Sequence, residues 1–245
     1  MMGTGIGLPD WYNIKKAGAV SALGDLGELA ARLGSINTFD RRGDTVWMDG
    51  FEEGMFKWST SVNGTGGAVE ISTEKARNGG FSCKITTGST LGQYAQIYKY
   101  IPAPVVANYG MEFSFTKSDD HSVIMLVFDY YTGAKRYLFQ VRYLVASDAL
   151  QYLDSAGAWQ SLSPTLKLMD STVLFNTLKL VVAPLEGEYV RALLNNQEFD
   201  MSGVACQQVA NFQAPSMTLL IRMITTSGGN VVGYVDDVIV TQNEL

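Results

Sequence analysis

The chain has 245 residues, of which 47% are hydrophobic and 17% are charged, and its formal net charge is −6. This composition supplies enough apolar side chains for a sizeable core and too few charges for a disordered chain. The basic residues form no stripe with interleaved aromatics, so we expect no nucleic-acid partner. No run approaches the roughly 18 apolar residues that a membrane-spanning helix needs, so we expect no membrane partner.

The start of the sequence lacks the pattern of a secretion signal. Its first lysines, Lys15 and Lys16, follow Pro9 and Asp10 instead of preceding an apolar stretch. We therefore expect the protein to be made in the cytoplasm of the producing cell. Proteins of a phage particle (virion) meet the same condition.

Cysteine and histidine are too few for a disulfide framework or a common zinc site. Cys83 and Cys206 are predicted to be small buried hydrophobic residues, although a single bridge between them stays open. His121 follows two aspartates in a predicted turn, where a solvated side chain is expected.

Residues 1–44 differ from the rest and are predicted to form an N-terminal arm. Trp11 and Tyr12 follow a glycine-rich start, and one short predicted helix then places four leucines on one face: Leu23, Leu26, Leu29 and Leu33. A helix this short must dock on something to be stable. Its partner is either the body of the same chain or a neighbouring subunit, which makes the arm a candidate for assembly or anchoring.

From residue 45 to the end, the pattern is that of β-strands. Segments rich in Val, Ile, Tyr, Phe and Leu alternate with turns rich in Gly, Asn, Asp and Ser. The predicted strands are 68–72, 81–87, 94–101, 110–116, 122–130, 135–146, 149–154, 177–183, 189–194, 217–225 and 233–241. Many short strands with frequent turns predict one all-β domain over residues 45–245, built from two packed antiparallel sheets.

One of these strands alternates cleanly between apolar and polar residues. Apolar side chains occupy one face, and polar ones the other: Met111, Phe113 and Phe115 against Glu112, Ser114 and Thr116. This pattern predicts a strand with one face in the core and one wet face.

Three stretches resemble known jelly-roll domains. The Phe-Glu-Glu-Gly motif at residues 51–54, followed by Trp58 and by residues 76–85, resembles the opening of carbohydrate-binding-module-like jelly rolls. Residues 176–182, followed by 187–191 and by 195–196, look like later strands of concanavalin-like lectin domains, and residues 234–238 look like the last strand of both groups. The resemblance implies an antiparallel β-sandwich (jelly roll, concanavalin-like) whose first and last strands lie side by side. It does not include the arm, which is similar to the assembly arms of phage particle proteins.

No set of residues in the sequence predicts catalysis. Concanavalin-like glycosidases carry their acids as Glu-x-Asp-x-Glu or Glu-x-Asp-x-x-Glu, and neither string occurs here. Asp236 and Asp237 are adjacent, so on a regular strand they would point to opposite faces. We therefore expect no catalytic residue and no enzymatic activity.

The resemblance also implies a structural calcium ion that ties the first strand to the last. Calcium takes carboxylate and carbonyl oxygens as ligands, and Glu52 or Glu53 together with Asp237 match the positions. Alternatively, these acids cap turns or pair with Lys and Arg at the edge of a sheet.

A row of aromatic and amide side chains is a candidate for glycan binding. Tyr94, Gln96 and Tyr98 alternate along one predicted strand, and Trp159 follows a predicted turn. Flat rings beside amides suit sugars, but such a stripe equally suits the core between sheets or a subunit interface.

Two functions remain open from the sequence. The first is a structural phage particle protein (decoration, cement or tail-associated) that forms a homo-oligomer and is anchored to other particle proteins by its arm. The second is a glycan-binding protein that recognises cell-surface or polymeric sugars.

Overall fold

The computed structural model describes residues 42–102, 107–116, 121–168 and 173–245. The predicted arm helix, with Leu23, Leu26, Leu29 and Leu33, lies outside the described residues, as do Trp11 and Tyr12. The described chain contains sixteen strands and the short 3-10 helix Val145–Ser147. No helix among these residues is long and apolar enough to cross a membrane.

The strands form two antiparallel sheets of eight strands each. Sheet A contains β1 (Asp44–Asp49), β3 (Ala68–Ser72), β4 (Ser82–Thr86), β6 (Tyr109–Thr116), β11 (Phe175–Ala183), β12 (Glu188–Leu194), β13 (Gln197–Ala205) and β16 (Val232–Gln242). Sheet B contains β2 (Ser59–Val62), β5 (Tyr94–Pro102), β7 (Ser122–Tyr131), β8 (Lys135–Leu144), β9 (Ala149–Leu153), β10 (Trp159–Ser163), β14 (Gln207–Ala210) and β15 (Ser216–Thr225).

The strand order places β6 and β16 in the middle of sheet A and β7 and β15 in the middle of sheet B. Sheet A runs β13-β12-β11-β6-β16-β4-β3, with β1 also paired with β16. Sheet B runs β10-β9-β8-β7-β15-β5-β2, with β14 paired with β8. The first and last strands meet, with Asp49 opposite Val238. The predicted β-sandwich with neighbouring terminal strands is confirmed.

The core lies between the two sheets and is built from alternate residues of each strand. Met111, Phe113 and Phe115 of β6 face Leu126 and Phe128 of β7 across it, all at most 1% exposed. Burial of these large side chains is the main force that holds the two sheets together. Cys83 and Cys206 are buried and unbonded, as predicted, and His121 lies exposed in a turn, also as predicted.

The prediction that one face of β6 is exposed to solvent is wrong. Its polar residues Glu112, Ser114 and Thr116 are at most 5% exposed. The loop between β3 and β4 brings Arg77 onto this face, where its Nη1 donates to Ser114 Oγ at 2.5 Å. The alternation correctly marked the core side, but it could not show that a loop covers the other side.

Candidate functional site on the outer face of sheet B

The outer face of sheet B carries the predicted glycan-binding residues. Ala95 and Ile97 of β5 point into the core and are fully buried. Because side chains alternate along a strand, Tyr94, Gln96 and Tyr98 point outward. Tyr94 and Tyr98 are half-buried on that face, so they do not form part of the core between the sheets. Trp159 of β10 is also half-buried.

A row of mainly polar residues crosses this face at right angles to the strands. We call it the polar row. Strand register places its members opposite one another from β2 to β10: Ser61, Gln96, Arg222, Met125, Arg142, Gln151 and Ser161. Neighbouring strands are about 4.8 Å apart, so the five members from Gln96 to Gln151 span roughly 19 Å.

Each arginine of the polar row is held by one amide oxygen and one aromatic ring. Arg222 donates from Nε to Gln96 Oε1 at 2.7 Å, and its guanidinium lies 4.3 Å from the ring centroid of Tyr94. Arg142 makes the same pair of contacts.

Arg142 donates from Nε and Nη2 to Gln151 Oε1 at 2.9 and 2.7 Å, and its guanidinium lies 3.9 Å from the ring centroid of Trp159. These contacts fix two flexible side chains in place before any ligand binds. Preorganisation of this kind lowers the entropy cost of binding.

A second, mainly apolar row runs beside the polar row, two residues further along each strand. We call it the apolar row. It begins with Tyr98, continues through residues on the central strands and ends with Trp159: Tyr98, Leu220, Val127, Gln140, Leu153 and Trp159. Val127 is only 5% exposed although it points outward, as is Met125 of the polar row at 6%. Neighbouring side chains therefore cover most of these two residues in the middle of the face.

A charged pair lies further along the same face. Arg136 Nη2 donates to Asp129 Oδ2 at 2.6 Å, and Asp129 is buried while Arg136 is half-buried. Asp129 Oδ1 and Arg136 Nε are buried and have no hydrogen-bond partner among the described residues. Burial raises the pKa of Asp129, whereas Arg136 opposes the shift.

The residues of the predicted calcium site occupy a different region, where the first strands meet β16. Glu53 is exposed and pairs with Lys57 at 2.8 Å. Glu52 Oε1 accepts hydrogen bonds from the backbone N–H groups of Gly80 and Phe81 at 2.9 and 3.0 Å. Glu53 thus takes the lysine-paired position foreseen as the alternative, and Glu52 holds the β3–β4 loop.

Asp236 and Asp237 do not follow the predicted opposite orientations. The register of β16 against β6 shifts between Asp236 and Ile239, and Asp237 has a positive φ of 46°. Such a bulge breaks the alternation of side chains. Both carboxylates therefore turn toward the β3–β4 loop, where Asn78 donates its backbone N–H to Asp236 and its Nδ2 to Asp237.

This bulge gathers negative charge that the protein only partly neutralises. Burial and the neighbouring Asp236 raise the pKa of Asp237 to about 7, and Arg77 Nη1 lies 3.8 Å from Asp237 Oδ2. The two aspartates fit a cation in their charge and oxygen donors. Across residues 42–102, 107–116, 121–168 and 173–245, no three Asp, Glu, His or Cys side chains group closely enough to form a metal site by themselves.

The sequence predicted the aromatic rings of the candidate glycan-binding site but not its two arginines. The signal was present: Arg142 alternates with the buried Val141 and Tyr143, and Arg222 alternates with the buried Ile221 and Met223. A charged residue in the middle of a strand whose neighbours enter the core marks an outward position on a central strand.

Comparison by sequence gives no relatives: no family model matches the chain, and no curated protein does. Comparison by structure gives many proteins of similar fold. A carbohydrate esterase from the Shiga toxin-encoding bacteriophage phi24B is 16% identical with a TM-score of 0.59, over 82% of this chain and 100% of the other.

Two further structures are similar over most of their length. The endo-β-1,4-glucuronan lyase of the fungus Trichoderma reesei is 10% identical with a TM-score of 0.53, over 80% of this chain and 95% of the other. A Bacillus subtilis protein of unknown function with a galectin-like fold is 11% identical with a TM-score of 0.51, over 82% of this chain and 97% of the other. The chain therefore has a jelly-roll β-sandwich fold, which it shares with these three proteins.

Proposed function

We propose that this protein binds a glycan on the outer face of sheet B and does not act as an enzyme. The observation that carries the proposal is the side-by-side arrangement of the polar row and the apolar row. Sugar rings present hydroxyl groups at their edges and C–H groups on their faces. A surface with hydrogen-bonding groups beside an apolar strip, with rings at both ends, matches both properties.

The polar groups of this face are already oriented. The amides of Gln96 and Gln151 are held by the arginines, and the arginines are held by rings. An esterase and a lyase share the fold, so the fold alone does not separate binding from catalysis. The arginine–aromatic pairs favour binding.

Loss of either terminal ring of the apolar row should weaken glycan binding. We expect Tyr98→Ala and Trp159→Ala each to reduce affinity about ten-fold, because aromatic residues at a binding surface contribute most of its energy. Affinity electrophoresis in gels containing neutral or acidic polysaccharides would measure the change.

The matched control is Phe212→Ala, since Phe212 is 89% exposed and lies in the link between β14 and β15. The affinity of Phe212→Ala for polysaccharide should equal that of the original protein. The proposal fails if no polysaccharide retards the protein, or if Phe212→Ala weakens binding as much as the other two variants.

A phage particle component is the second candidate. The specific observation that favours it is the phi24B protein, a phage protein whose whole length matches this fold. In this role the sandwich would be a decoration, cement or tail-associated unit, oligomerised and attached to other particle proteins through the arm. Glycan binding and a place on the particle are compatible, because such a unit can present its sheet B face outward.

Removing the arm should abolish assembly and preserve the fold. Strand β1 begins at Asp44, which pairs with Gln242, so the truncated chain should begin at Arg42. We expect this chain to melt within a few degrees of the full chain but to be monomeric by light scattering. Identical oligomers from both chains would show that the arm has no role in assembly.

Calcium should stabilise the protein through the bulge of β16. We expect added Ca²⁺ to raise the melting temperature and chelator to lower it, because a cation would offset the repulsion between Asp236 and Asp237. Asp237→Asn should remove most of this response, whereas Glu53→Gln should leave it intact. A melting temperature that is unchanged by Ca²⁺ and chelator would contradict this prediction.

A further inference from the structure

The polar row holds two arginines that form no direct ion pair with a carboxylate of the described residues, although Asp129 attracts Arg222 at longer range. Arg142 and Arg222 contact amide oxygens and rings, and neither forms an ion pair within the described residues. By contrast, Arg136 on the same face pairs with Asp129 at 2.6 Å. The full sequence has 24 acidic and 18 basic residues, so acids to pair with these arginines were available in composition. Two arginines on one face without a direct ion pair are therefore a specific local feature.

Both guanidinium groups keep donors for a ligand. A guanidinium has five N–H donors. Arg222 uses Nε for Gln96, and Arg142 uses Nε and Nη2 for Gln151. None of their nitrogens is among the buried atoms without a partner, so the remaining Nη groups reach solvent. Burial also lowers the pKa of both arginines, which indicates partial dehydration, and dehydrated charges attract an anion more strongly.

The two arginines lie far enough apart to contact different sugar residues of one polymer. Arg222 and Arg142 lie on either side of β7, both opposite Met125. Two strand steps separate their backbones by about 10 Å. We propose, as an extension of the function proposed above, that the glycan is acidic: its sugar residues carry carboxylate groups that bind the guanidinium groups of Arg142 and Arg222 while their rings lie on the apolar row.

A carboxylated sugar fits these groups better than other anions do. The planar fork of a guanidinium matches a carboxylate with two parallel hydrogen bonds. The apolar row, ended by Tyr98 and Trp159, favours the C–H faces of sugar rings over an acidic peptide, whose backbone would need hydrogen-bond partners that Leu220 and Val127 cannot supply.

Binding measurements on the original, unmutated protein test the acidic-glycan proposal directly. Isothermal titration with polygalacturonate and with its fully methyl-esterified form compares one sugar chain with and without charge. We expect the acid to bind at least ten-fold more tightly, with an affinity that falls as salt is added. Equal affinities would overturn the acidic-glycan proposal and leave glycan binding intact, whereas no binding to these or to neutral glucans would overturn both. Tighter binding of dextran sulfate than of polygalacturonate would overturn the choice of carboxylate.

Variants assign the effect to the two arginines. We expect Arg142→Gln and Arg222→Gln each to lower affinity for polygalacturonate about ten-fold or more and to lower affinity for the ester by a clearly smaller factor, because the ester loses only neutral contacts. Arg42→Gln is the matched control, because it removes the same charge beside Glu198 of sheet A. Arg142→Lys and Arg222→Lys keep the charge, and circular dichroism checks that each variant is folded. If Arg42→Gln lost as much affinity for polygalacturonate as Arg142→Gln and Arg222→Gln, the assignment of acidic-glycan binding to these two arginines would be overturned.

Discussion

Replacing Glu244 by Gln is expected to lower the free energy of unfolding by about 3 kcal/mol or more, the usual cost of breaking a buried ion pair. The Glu244 side chain is fully buried on sheet A, where Oε1 lies 2.8 Å from Lys179 Nζ and Oε2 accepts from Arg191 Nη2. Thr241 Oγ1 also donates to Oε1 at 2.6 Å. The neutral amide would remove the negative charge that joins two buried cations.

Glu198→Gln is the matched control for this variant. Glu198 pairs with Arg42 at 2.8 Å, but its side chain is 46% exposed. Exposed pairs contribute less than about 1 kcal/mol, so this variant should unfold almost like the original chain in urea. Similar stability losses in both variants would show that the Glu244 cluster does not secure the C-terminus against sheet A.

Tyr189→Ala should lower the free energy of unfolding by about 3–5 kcal/mol, the range found for large aromatic truncations in a core. Tyr189 lies on β12 of sheet A, is 1% exposed and makes edge-on contacts with Phe139 and Tyr152 of sheet B. Its hydroxyl accepts from Gln140 N at 2.9 Å and donates to Leu153 O at 2.8 Å. The ring thus joins the two sheets behind the apolar row.

Two further variants separate the causes of this loss. Tyr189→Phe keeps the ring and removes only the hydroxyl, so we expect a loss of about 1–2 kcal/mol. Tyr100→Ala removes a ring that is 59% exposed and should cost less than about 1 kcal/mol. Urea unfolding of the three proteins gives the comparison. A Tyr189→Ala chain as stable as Tyr100→Ala would contradict the sheet-joining role.

The sequence predicted the fold well because its strongest signals come from the central strands. The predicted strand 122–130 corresponds to β7, and 217–225 corresponds to β15, where nearly every residue is apolar or alternates. Five strands were missed, namely β1, β2, β10, β13 and β14, and each of them pairs with a single neighbour. Two of them, β2 with its sequence Ser-Thr-Ser-Val and β13, are also polar and largely exposed. Propensity is weak where pairing, and not burial, maintains the strand.

The candidate site was only half predictable. Tyr94, Gln96 and Tyr98 share a strand face, so alternation alone groups them. Arg142 and Arg222 join them only through the register of β7 between β8 and β15, which links residues 80 positions apart in the sequence. The predicted orientation of the Asp237 side chain was wrong because a single bulge in β16 reverses it. Long-range register and local bulges are set by packing across the whole sandwich.

The most direct test of the central claim is a map of where a sugar touches the protein. Nuclear magnetic resonance titration with galacturonate oligomers would follow the backbone amides, the Nε–H groups of Arg142 and Arg222, and the indole N–H of Trp159. We predict that the largest shifts trace the polar and apolar rows across sheet B. Shifts confined to sheet A, to the β16 bulge or to the loops at the sandwich ends would contradict a glycan site on this face.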